Sequence, residues 1–402
     1  MSLQEVPAKY LYCVVDKRAG VMANEVPLLA VSISRGVIRR DEITDREARA
    51  DDLTSYKLCA AKDIVINRMS AYQGALGISP VIGLVSPDYL ILRARKQIEP
   101  RFLTYLFRST WFVGKMTARL RGIGSIGQAN VRTPRINEED LGRIRVTIPT
   151  YPVQQTIADY LDRETVRIDA LIEAKRRMTE LLEERRRSVR DVVFDCTPGR
   201  RLKRLLAHSM AYGVLVPDFV ELGTGVPMIR TYNLSDRGYV SHDNIAEIPI
   251  NLAGEYQRTS LCEGDLILSV VGSMGRSAVV SSEEQGFNLN RPLARLQLRP
   301  EVPPRLIWHW TQTTHFLDMA KLATGGGTAQ PTLNLGDLAN FRVGLPEKTH
   351  LWPVVLAELE ERCRHLDQAE DVLNQQIGLL QERRQALVTA AVTGQLEIPE
   401  AA

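Results

Sequence analysis

Residues 356–392 read LAELEERCRHLDQAEDVLNQQIGLLQERRQALVTAAV, and this stretch organises the whole chain. Its apolar residues follow a heptad repeat, in which one position recurs every seven residues and forms a stripe along one helix face. The stripe consists of Leu359, Leu366, Leu373, Leu380 and Leu387, with Leu356, Cys363, Ile377 and Ala391 on the companion positions. Because such a stripe must be buried, the stretch predicts a long helix that packs against a second helix.

A second heptad stripe lies 198 residues earlier in the chain. It consists of Leu161, Ile168, Lys175, Leu182 and Val189, with Ile157, Leu171, Met178 and Val192 as companions. Shorter matches extend the comparison into the preceding segments, where PRFL at 100–103 resembles PRLI at 304–307 and DIVI at 63–66 resembles DLIL at 265–268. These matches predict that the chain is a duplicated unit.

Each copy is predicted to be a globular domain followed by one long helix. Short β-like runs combine with one helical stretch per copy, Pro100 to Leu120 and Pro304 to Leu322, and this mixture predicts an α+β fold. The predicted boundaries are 1–150 for the first domain, 151–198 for the first helix, 199–346 for the second domain, 347–394 for the second helix and 395–402 for a short tail. Because the second domain begins where the first helix ends, an antiparallel coiled coil is the simplest pairing of the two helices.

Composition places the chain among ordinary globular proteins. Of its 402 residues, 44% are hydrophobic and 25% are charged, and no apolar run reaches the ~20 residues that a membrane span needs. We therefore expect a cytoplasmic protein. The five cysteines include no CxxC pair, so the sequence favours reduced thiols over a disulfide framework or a zinc site, and no metal site is predicted.

Charge is unevenly distributed along the chain. Residues 1–150 contain 23 basic and 15 acidic residues, whereas residues 347–402 contain 5 basic and 10 acidic residues. This pattern is compatible with globular domains on nucleic acid and helices that face protein, although an ordinary solvated surface would also produce it.

The sequence contains no convincing catalytic motif. Gly122, Gly124 and Gly127 spell GxGxxG, but they follow a predicted helix, whereas a dinucleotide site needs a strand before the glycines and a helix after them. The matching place in the second copy, Gly325 to Gly327, lacks this spacing. A phosphate loop, a zinc-protease motif and a nucleophile elbow are missing as well, so we predict no active site in this chain.

Polar and basic residues of the kind that read DNA are concentrated in matching loops of the two domains. Arg reads guanine with two hydrogen bonds, and Asn or Gln reads adenine in the same way. The candidates in the first domain are Arg39, Arg40, Lys57, Arg68, Tyr72, Gln73, Gln128, Asn130, Arg132 and Arg135. Those in the second domain are Arg230, Tyr232, Asn233, Arg237, Ser273, Arg276, Asn290, Arg291, Thr328 and Gln330. Because the same residue types also occur in solvated loops, each is a candidate only.

At this point the chain resembles the DNA-specificity subunits of type I restriction–modification systems. The resemblance is carried by QQTIADYLDRET at 154–165 and RIDALI at 167–172, and by LQERRQAL at 380–387 and AAVTG at 390–394. It covers essentially the whole chain and is strongest in the helices. It implies two target-recognition domains, each of which grips one half of a split DNA sequence, and a helix pair that sets the gap between the halves.

The resemblance also implies the partners. The subunit itself is not an enzyme and holds no cofactor. It would assemble with two methyltransferase subunits, which bind S-adenosylmethionine and methylate adenine, and with restriction subunits that use ATP and Mg²⁺ and translocate and cut DNA. The acidic helices are the expected docking place of the methyltransferase.

Three alternatives remain open at this stage. The chain could be a coiled-coil scaffold whose globular domains bind proteins, or a nucleotide-dependent enzyme that uses the Gly122 loop. It could also be the specificity subunit of a related system with a fused methyltransferase–nuclease partner. Tight, salt-sensitive binding to one split DNA sequence would exclude the scaffold.

Overall fold

The computed structural model of the protein describes residues 4–33, 35–42, 53–120, 135–195, 199–325 and 331–398. The described residues form a mixture of strands and helices, and two of the helices are longer than 40 residues. The chain divides into two compact units. Unit 1 contains Met1–Lys175 and Gln375–Ala402, and unit 2 contains Arg176–Asn374. Each long helix therefore contributes one part to each unit.

The globular part of unit 1 is built from short strands and three helices. The strands are β1 (Gln4–Pro7), β2 (Tyr12–Val15), β3 (Leu29–Ser32), β4 (Gly36–Arg39), β5 (Lys57–Cys59), β6 (Ile64–Ile66), β7 (Leu76–Ile78), β8 (Gly83–Val85), β9 (Leu90–Ala94) and β10 (Arg145–Ile148). The helices are α1 (Pro100–Arg108), α2 (Thr110–Thr117) and α3 (Glu138–Gly142), and α4 (Tyr151–Phe194) follows β10.

Unit 2 has a similar composition of elements. Its strands are β11 (Arg200–Arg201), β12 (Ala211–Tyr212), β13 (Val226–Ile229), β14 (Ala246–Ile248), β15 (Leu266–Ser269), β16 (Ser277–Val279), β17 (Asn288–Leu289), β18 (Leu293–Leu296) and β19 (Arg342–Val343). Its helices are α5 (Ile250–Glu255), α6 (Pro304–Thr311), α7 (Thr314–Ala323) and α8 (Leu335–Asn340), and α9 (Trp352–Val392) is the second long helix.

The main sheet of unit 1 is antiparallel, with the strand order β2-β9-β6-β7. Its central strands are apolar on both faces because they are covered on both sides. Helix α1 packs on this core through Phe102, Leu103, Leu106 and Phe107, which are all buried. Strands β1 and β10 pair separately, β3 pairs with β4, and β5 pairs with β8. The pairing of β1 with β10 brings the described start of the chain beside the strand that precedes α4.

The main sheet of unit 2 is also antiparallel and has the order β12-β18-β15-β16. Helix α6 packs on it with buried Leu306, Ile307, Trp308 and Trp310. A second sheet, β14-β13-β17, includes one parallel pair between β13 and β17. Strands β11 and β19 pair just before α9, as β1 and β10 do before α4.

The predicted single helix in each domain is wrong, because each is divided into two. Helices α1 and α2 are separated at Ser109, whose hydroxyl accepts a hydrogen bond from the amide of Phe112. Helices α6 and α7 are separated in the same way at Thr313, which accepts from the amide of Phe316. Side-chain oxygens at these positions satisfy an amide at the start of a new helix, and the apolar periodicity across the break conceals the interruption.

The long helices run antiparallel within each unit. In unit 1, Lys175 of α4 donates to Gln376 of α9 at 2.6 Å, and Asp169 accepts from Arg384 at 2.8 Å. In unit 2, Arg186 lies 2.9 Å from Asp367 and also contacts Glu370. The residue number on α9 falls as the number on α4 rises, which is the signature of an antiparallel pair.

The heptad stripe of α9 faces inward. Leu359, Cys363, Leu373 and Ala391 are buried, whereas Leu366, Leu380 and Leu387 are half-buried. On α4, Leu161 and Ile168 are buried, and Leu182 and Val189 are half-buried. Leu161, Leu387 and Ala391 pack into the core of unit 1, and Val189, Leu359 and Cys363 pack into the core of unit 2.

The companion positions predicted for α4 are mostly wrong. Leu171, Met178 and Val192 are 46%, 52% and 71% exposed, although Ile157 is buried. The inward companions are Thr165, Ile172, Thr179, Arg186 and Val193. In each heptad, the inward residue lies one position after the predicted companion position. Because three of these five carry a polar group, hydrophobicity alone chose the wrong side of the stripe.

No helix among the described residues is long and apolar enough to cross a membrane.

Candidate nucleic-acid interface

Part of the predicted interface lies outside the described residues. This holds for Gln128, Asn130, Arg132, Thr328 and Gln330, for the glycines at 122, 124 and 127, and for Gly326 and Gly327. The DNA-binding role of these residues remains a prediction.

Four predicted residues of the first domain come together at the end of β6. Arg68 donates from Nε to the carbonyl of Ile136 at 3.1 Å, which places it beside Arg135. Burial lowers the pKa of Arg68, and the nearby charge of Arg135 lowers it further. Tyr72 and Gln73 lie in the short turn that follows, and Gln73 and Arg135 are exposed. The fold therefore brings the segment that carries Arg68, Tyr72 and Gln73 beside Arg135, which lies 67 residues after Arg68 in sequence.

Arg68 also donates from Nη2 to Asn137 at 2.9 Å, and the remaining described candidates of the first domain are likewise engaged within the protein. Arg39 is exposed and forms an ion pair with Asp41 at 2.8 Å, while Arg40 beside it is half-buried. Lys57 is only 9% exposed, and its ammonium lies 3.1 Å from Asp16 and donates to the carbonyl of Tyr89 at 3.0 Å. Lys57 therefore stabilises β5, and the structure gives less support to its predicted DNA contact than to that of Gln73.

In the second domain, Arg230 and Tyr232 form one exposed cluster. The guanidinium of Arg230 lies 4.6 Å from the ring centroid of Tyr232 and 5.7 Å from that of Phe219. The guanidinium of Arg230 and the hydroxyl of Tyr232 both donate to the carbonyl of Asn244, at 2.8 Å and 2.9 Å. Tyr232 is 51% exposed, so the cluster offers an aromatic face and a cation to solvent.

Asn233 has a different environment from its neighbours. It is fully buried, and its amide group donates to the carbonyls of Ser241 and Asp243 while its carbonyl oxygen accepts from the amide of Arg230. These bonds use the hydrogen-bonding groups with which an asparagine would read adenine. Among the described candidates, Asn233 is the one whose predicted base contact the structure supports least.

Two further arginines of the second domain are held in ion pairs. Arg237 contacts Asp371 of α9, and Arg276 lies 2.9 Å from Asp236. Ser273 and Arg291 are exposed, and Asn290 is half-buried with its carbonyl oxygen bound to the amide of Arg291. These five positions therefore include both open and internally bonded side chains.

Sequence reasoning missed a cavity next to Arg291. It has a volume of about 840 Å³, and its lining includes Tyr212, Tyr256 and Arg258. Arg258 is also held by a hydrogen bond to Ser209 at 2.8 Å. Tyrosine and arginine are the side chains on which bases stack. No periodic signal in the sequence singles out these residues, because Tyr212 ends strand β12 whereas Tyr256 and Arg258 lie in the segment after α5.

One group of potential metal ligands was also missed. His242, Glu283 and Glu284 place their ligand atoms within 4.8 Å of one another. Glu284 is buried, which opposes its ionisation, but hydrogen bonds from Ser281 and His242 keep the pKa of its carboxyl below the ordinary value. Since Glu284 already caps the turn at Ser281, the cluster is explained by local structure.

Each globular part meets a long helix at a polar contact that we call a joint. The first joint consists of Arg101 and Tyr105 on α1 with Asp159, Asp162 and Thr165 on α4. Arg101 donates to both carboxylates at 2.7 and 2.8 Å, and the hydroxyl of Tyr105 donates to Asp162 at 2.7 Å. Burial raises the pKa of Tyr105 to about 12, so the hydroxyl stays protonated.

The second joint consists of Arg305, Trp308 and His309 on α6 with Arg190 on α4 and Glu360 on α9. Arg305 donates to Glu360 at 3.1 Å, and Arg190 donates to Nδ1 of His309 at 3.3 Å. The ring of Trp308 is close to both guanidinium groups, with its centroid 4.0 Å from the guanidinium carbon of Arg305 and 5.1 Å from that of Arg190. Each joint therefore fixes a globular part against the helices of its own unit.

His309 is neutral in this environment. Burial, reinforced by the charges of Arg190 and Arg305, lowers its pKa to about 2. Because Nδ1 accepts a hydrogen bond, the proton sits on Nε2, which has no partner among the described residues. Burial likewise lowers the pKa of Arg190.

Comparison with known proteins gives one match in sequence. The specificity subunit of the type I restriction enzyme EcoBI from Escherichia coli is 24% identical over 191 residues. The match covers 47% of this chain and 39% of the relative, so it spans about two fifths of that protein's length. No family model matches the chain.

Comparison with solved structures gives a match over nearly the full length. A chain solved in a study of complex assembly and conformational transition of the type I R-M system has 18% identity and a TM-score of 0.63, with 98% of both chains covered. The HsdS subunit from Thermoanaerobacter tengcongensis has 17% identity, covers 98% of this chain and 97% of its own, and has a TM-score of 0.46, too low to carry an argument. The first similarity shows a shared fold. The predicted resemblance is therefore confirmed: the chain resembles a type I specificity subunit in sequence over part of its length, and it shares its fold over nearly all of its length with a chain from a type I R-M system.

Proposed function

We propose that this chain is the sequence-specific DNA-binding subunit of a type I restriction–modification complex and has no catalytic activity of its own. The observation that carries the proposal is the sequence match to a type I specificity subunit, together with the fold shared over 98% of the chain. The absence of catalytic motifs from the sequence agrees with a recognition role.

We infer that units 1 and 2 contain two copies of one target-recognition domain, with the boundaries 1–150 and 199–346. The shared strand order of the main sheets supports this inference. So does a matching ion pair, in which Arg93 binds Asp63 at 2.8 Å and Arg295 binds Asp265 at 2.6 Å. Both aspartates also accept a hydrogen bond from the amide three residues earlier. Such details are expected of a duplicated frame whose loops have diverged.

Each domain is proposed to read one half of a bipartite DNA target. In the first domain, Arg68, Arg135, Tyr72 and Gln73 provide a cationic and polar cluster at one strand end. In the second, the exposed ring of Tyr232 with Arg230 provides another. Arginine and polar side chains supply both phosphate contacts and base readout, so two different clusters would recognise two different words.

Helices α4 and α9 are proposed to form an antiparallel coiled coil that sets the spacer between the two halves. They have 44 and 41 residues, which corresponds to roughly 60 Å each at 1.5 Å per residue. Within each unit, the ion pairs of Arg384 with Asp169 and of Arg186 with Asp367 support a defined register. Polar groups inside an apolar stripe are a known means of fixing register.

The helices are also the proposed docking place of two methyltransferase subunits. Exposed apolar residues recur at intervals of seven or fourteen, as Leu171, Met178 and Val192 on α4 and as Val372 and Leu379 on α9. A single exposed apolar residue is ordinary, but a periodic stripe outside the helix seam is the surface that an apolar helix of a partner would cover. S-adenosylmethionine, ATP and Mg²⁺ would be bound by the methyltransferase and restriction subunits.

The deciding experiment is co-expression of the full chain with the methyltransferase encoded nearest to it, followed by sequencing of adenine methylation on plasmid DNA. We expect one split motif. Exchange of residues 199–346 for the corresponding domain of another specificity subunit should change one half of that motif only. Failure to co-purify, together with the absence of a methylation pattern, would favour the protein scaffold.

A second experiment tests whether the two long helices set the length of the spacer. Deletion of one matched heptad from each helix, residues 175–181 and 373–379, should change the preferred spacer and leave both half-sites intact. An unchanged spacer length would show that the helices do not set the spacer.

The docking stripe can be tested without disturbing DNA recognition. The double variant Leu171→Gln and Met178→Gln should co-purify with less methyltransferase at an unchanged melting temperature, because both side chains are exposed. Glu173→Gln on the same helix, also exposed, is the matched control and should bind as the native chain does.

A further inference from the structure

The turn at residues 235–239 of the second domain is held against α9. We propose that Arg305 is a positioning residue that fixes this turn, and with it the DNA-reading loops of the second domain, relative to the long helix. The proposal rests on the function proposed above and names a specificity determinant that does not itself touch DNA.

Arg305 joins three elements through one planar group. Its Nε donates to Glu360 of α9 at 3.1 Å, and its Nη1 donates to the carbonyl of Arg237 in the turn at 3.0 Å. The guanidinium also contacts two aromatic rings, at 4.0 Å from the centroid of Trp308 and 5.2 Å from that of Tyr239. A guanidinium can combine stacking with hydrogen bonds in different directions, whereas an ammonium group cannot.

The backbone of the turn is packed too closely to shift. Gly238 has a φ of +78°, and a Cβ at this position would lie 2.3 Å from the ring of Trp308. The carbonyl of Gly238 also accepts from the amide of Val279 at the end of β16, at 3.0 Å. The turn is therefore fixed against both α6 and the main sheet of the domain.

Ion pairs connect the same turn to the helix and to a predicted reader. Arg237 contacts Asp371 of α9, and Asp236 binds Arg276 at 2.9 Å. Tyr232 lies only three residues before the turn in sequence. A change in the contact of Arg305 with the turn should therefore alter the presentation of Arg276 and Tyr232 without removing either side chain.

The first unit provides a matched control. Arg101 occupies the same place in α1 as Arg305 does in α6, but its side chain binds the carboxylates of Glu99, Asp159 and Asp162. The structure records no bond from it to a loop that carries predicted DNA-reading residues, within the part of the chain that it describes. Arg101 should hold its domain on the helix without tuning base readout.

The test uses the full chain in complex with its methyltransferase and selection of bound duplexes from a random DNA pool. Arg305→Lys keeps the positive charge but loses the planar guanidinium that contacts the aromatic rings and donates hydrogen bonds in two directions. We expect base discrimination in the half read by the second domain to fall about fivefold to tenfold, while the first half is unchanged. Arg101→Lys should leave base preferences in both halves as in the native protein.

A charge exchange separates positioning from simple loss of folding. Arg237→Asp or Asp371→Arg alone should reduce discrimination in the second half about twofold to fivefold, because the pair is partly exposed. The double exchange should restore it, which a general defect in folding would not allow. Unchanged second-half preferences in Arg305→Lys, or equal losses in both halves, would overturn the positioning role. Failure of the native complex to select any split motif would instead overturn the proposed function itself, and the positioning role with it.

Discussion

The two joints solve the same structural problem with different chemistry. In the first, Arg101 and Tyr105 bind carboxylates of α4, and each of these polar groups has a partner. In the second, Trp308 lies close to the guanidinium groups of both Arg305 and Arg190, and one ring nitrogen of the buried His309 has no partner among the described residues. The difference teaches that a similar frame tolerates either an ionic or an aromatic contact at the place where a domain meets its helix. It also predicts that the two joints respond differently to mutation and pH.

The largest effect is expected from removal of the aromatic centre of the second joint. Trp308 is 3% exposed, so Trp308→Ala should lower the free energy of unfolding of unit 2 by about 4 kcal/mol through lost burial and a residual cavity. The corresponding position of the first joint is Thr104, and Thr104→Ala should cost less than about 1 kcal/mol. Urea unfolding followed by circular dichroism measures both. Equal losses would contradict the distinction between the joints.

The next largest effect is expected from Arg186 of α4, which is compared with Arg384, its matched position on α9. Arg186 is buried and faces Glu183, Asp367 and Glu370, so Arg186→Met leaves several partly buried carboxylates without a cation and should cost about 2 kcal/mol. Arg384→Met, 198 residues later, breaks a more exposed pair with Asp169 and should cost under about 1 kcal/mol. A larger loss for Arg384→Met than for Arg186→Met would reverse this ranking.

The third prediction concerns pH. The pKa of His309 is about 2 in the folded protein, well below the ordinary value of 6.5, because the neutral ring is buried. In the unfolded chain, His309 therefore binds a proton below about pH 6.5, whereas in the folded chain it binds this proton only near pH 2. The contribution of the neutral His309 to the free energy of unfolding is fully present above pH 6.5. It decreases as the pH falls, by about 2 kcal/mol between pH 6.5 and 5. His309→Gln should remove this part of the pH dependence.

The first joint supplies the contrast for that titration. The pKa of Tyr105 is raised to about 12, so it does not change charge between pH 5 and 8. Tyr105→Phe should therefore leave the pH profile of stability unaltered. The profiles of the native chain and of the two variants, measured by urea unfolding at half-unit steps of pH, separate the cases. A profile for His309→Gln as steep as that of the native chain would exclude His309 as the responsible group.

Apart from the control variants Thr104→Ala and Arg384→Met, the smallest effect is expected from the hydroxyl of Tyr105 in the first joint. Tyr105→Phe removes the bond to Asp162, but Arg101 still binds that carboxylate, so the cost should be about 1 kcal/mol. Thermal unfolding of the full chain at pH 7.5 measures it. A loss as large as that of Trp308→Ala would show that the ionic joint depends on the hydroxyl as much as the second joint depends on the indole.

Sequence reasoning succeeded where a pattern repeats over many residues. The long helices and the inward face of Leu359, Cys363 and Leu373 could be predicted because each turn repeats the same signal. It failed where one polar side chain decides. The helix breaks at Ser109 and Thr313 and the inward Arg186 depend on single residues. Apolar periodicity therefore chose the exposed Leu171 and Met178 as companions instead.

The candidate interface shows the same division. The types of side chain needed for DNA reading were visible in the loops, and their location in matched segments suggested two readers. The internal engagement of Lys57, Asn233 and Arg237 was not visible, because their partners Asp16, Ser241 and Asp371 carry no sign of the pairing in sequence.

The sequence by itself determined the two long helices and the resemblance to type I specificity subunits, because periodic hydrophobicity and sequence motifs are properties of the chain order, and it predicted a duplicated organisation from its repeated segments. Tertiary structure alone decided which polar residues are open to a ligand and which hold the domains on the helices. Arg305 illustrates the reason. Its partners Glu360, Arg237 and Trp308 come from three separate segments, and their geometry exists only after those segments have packed together.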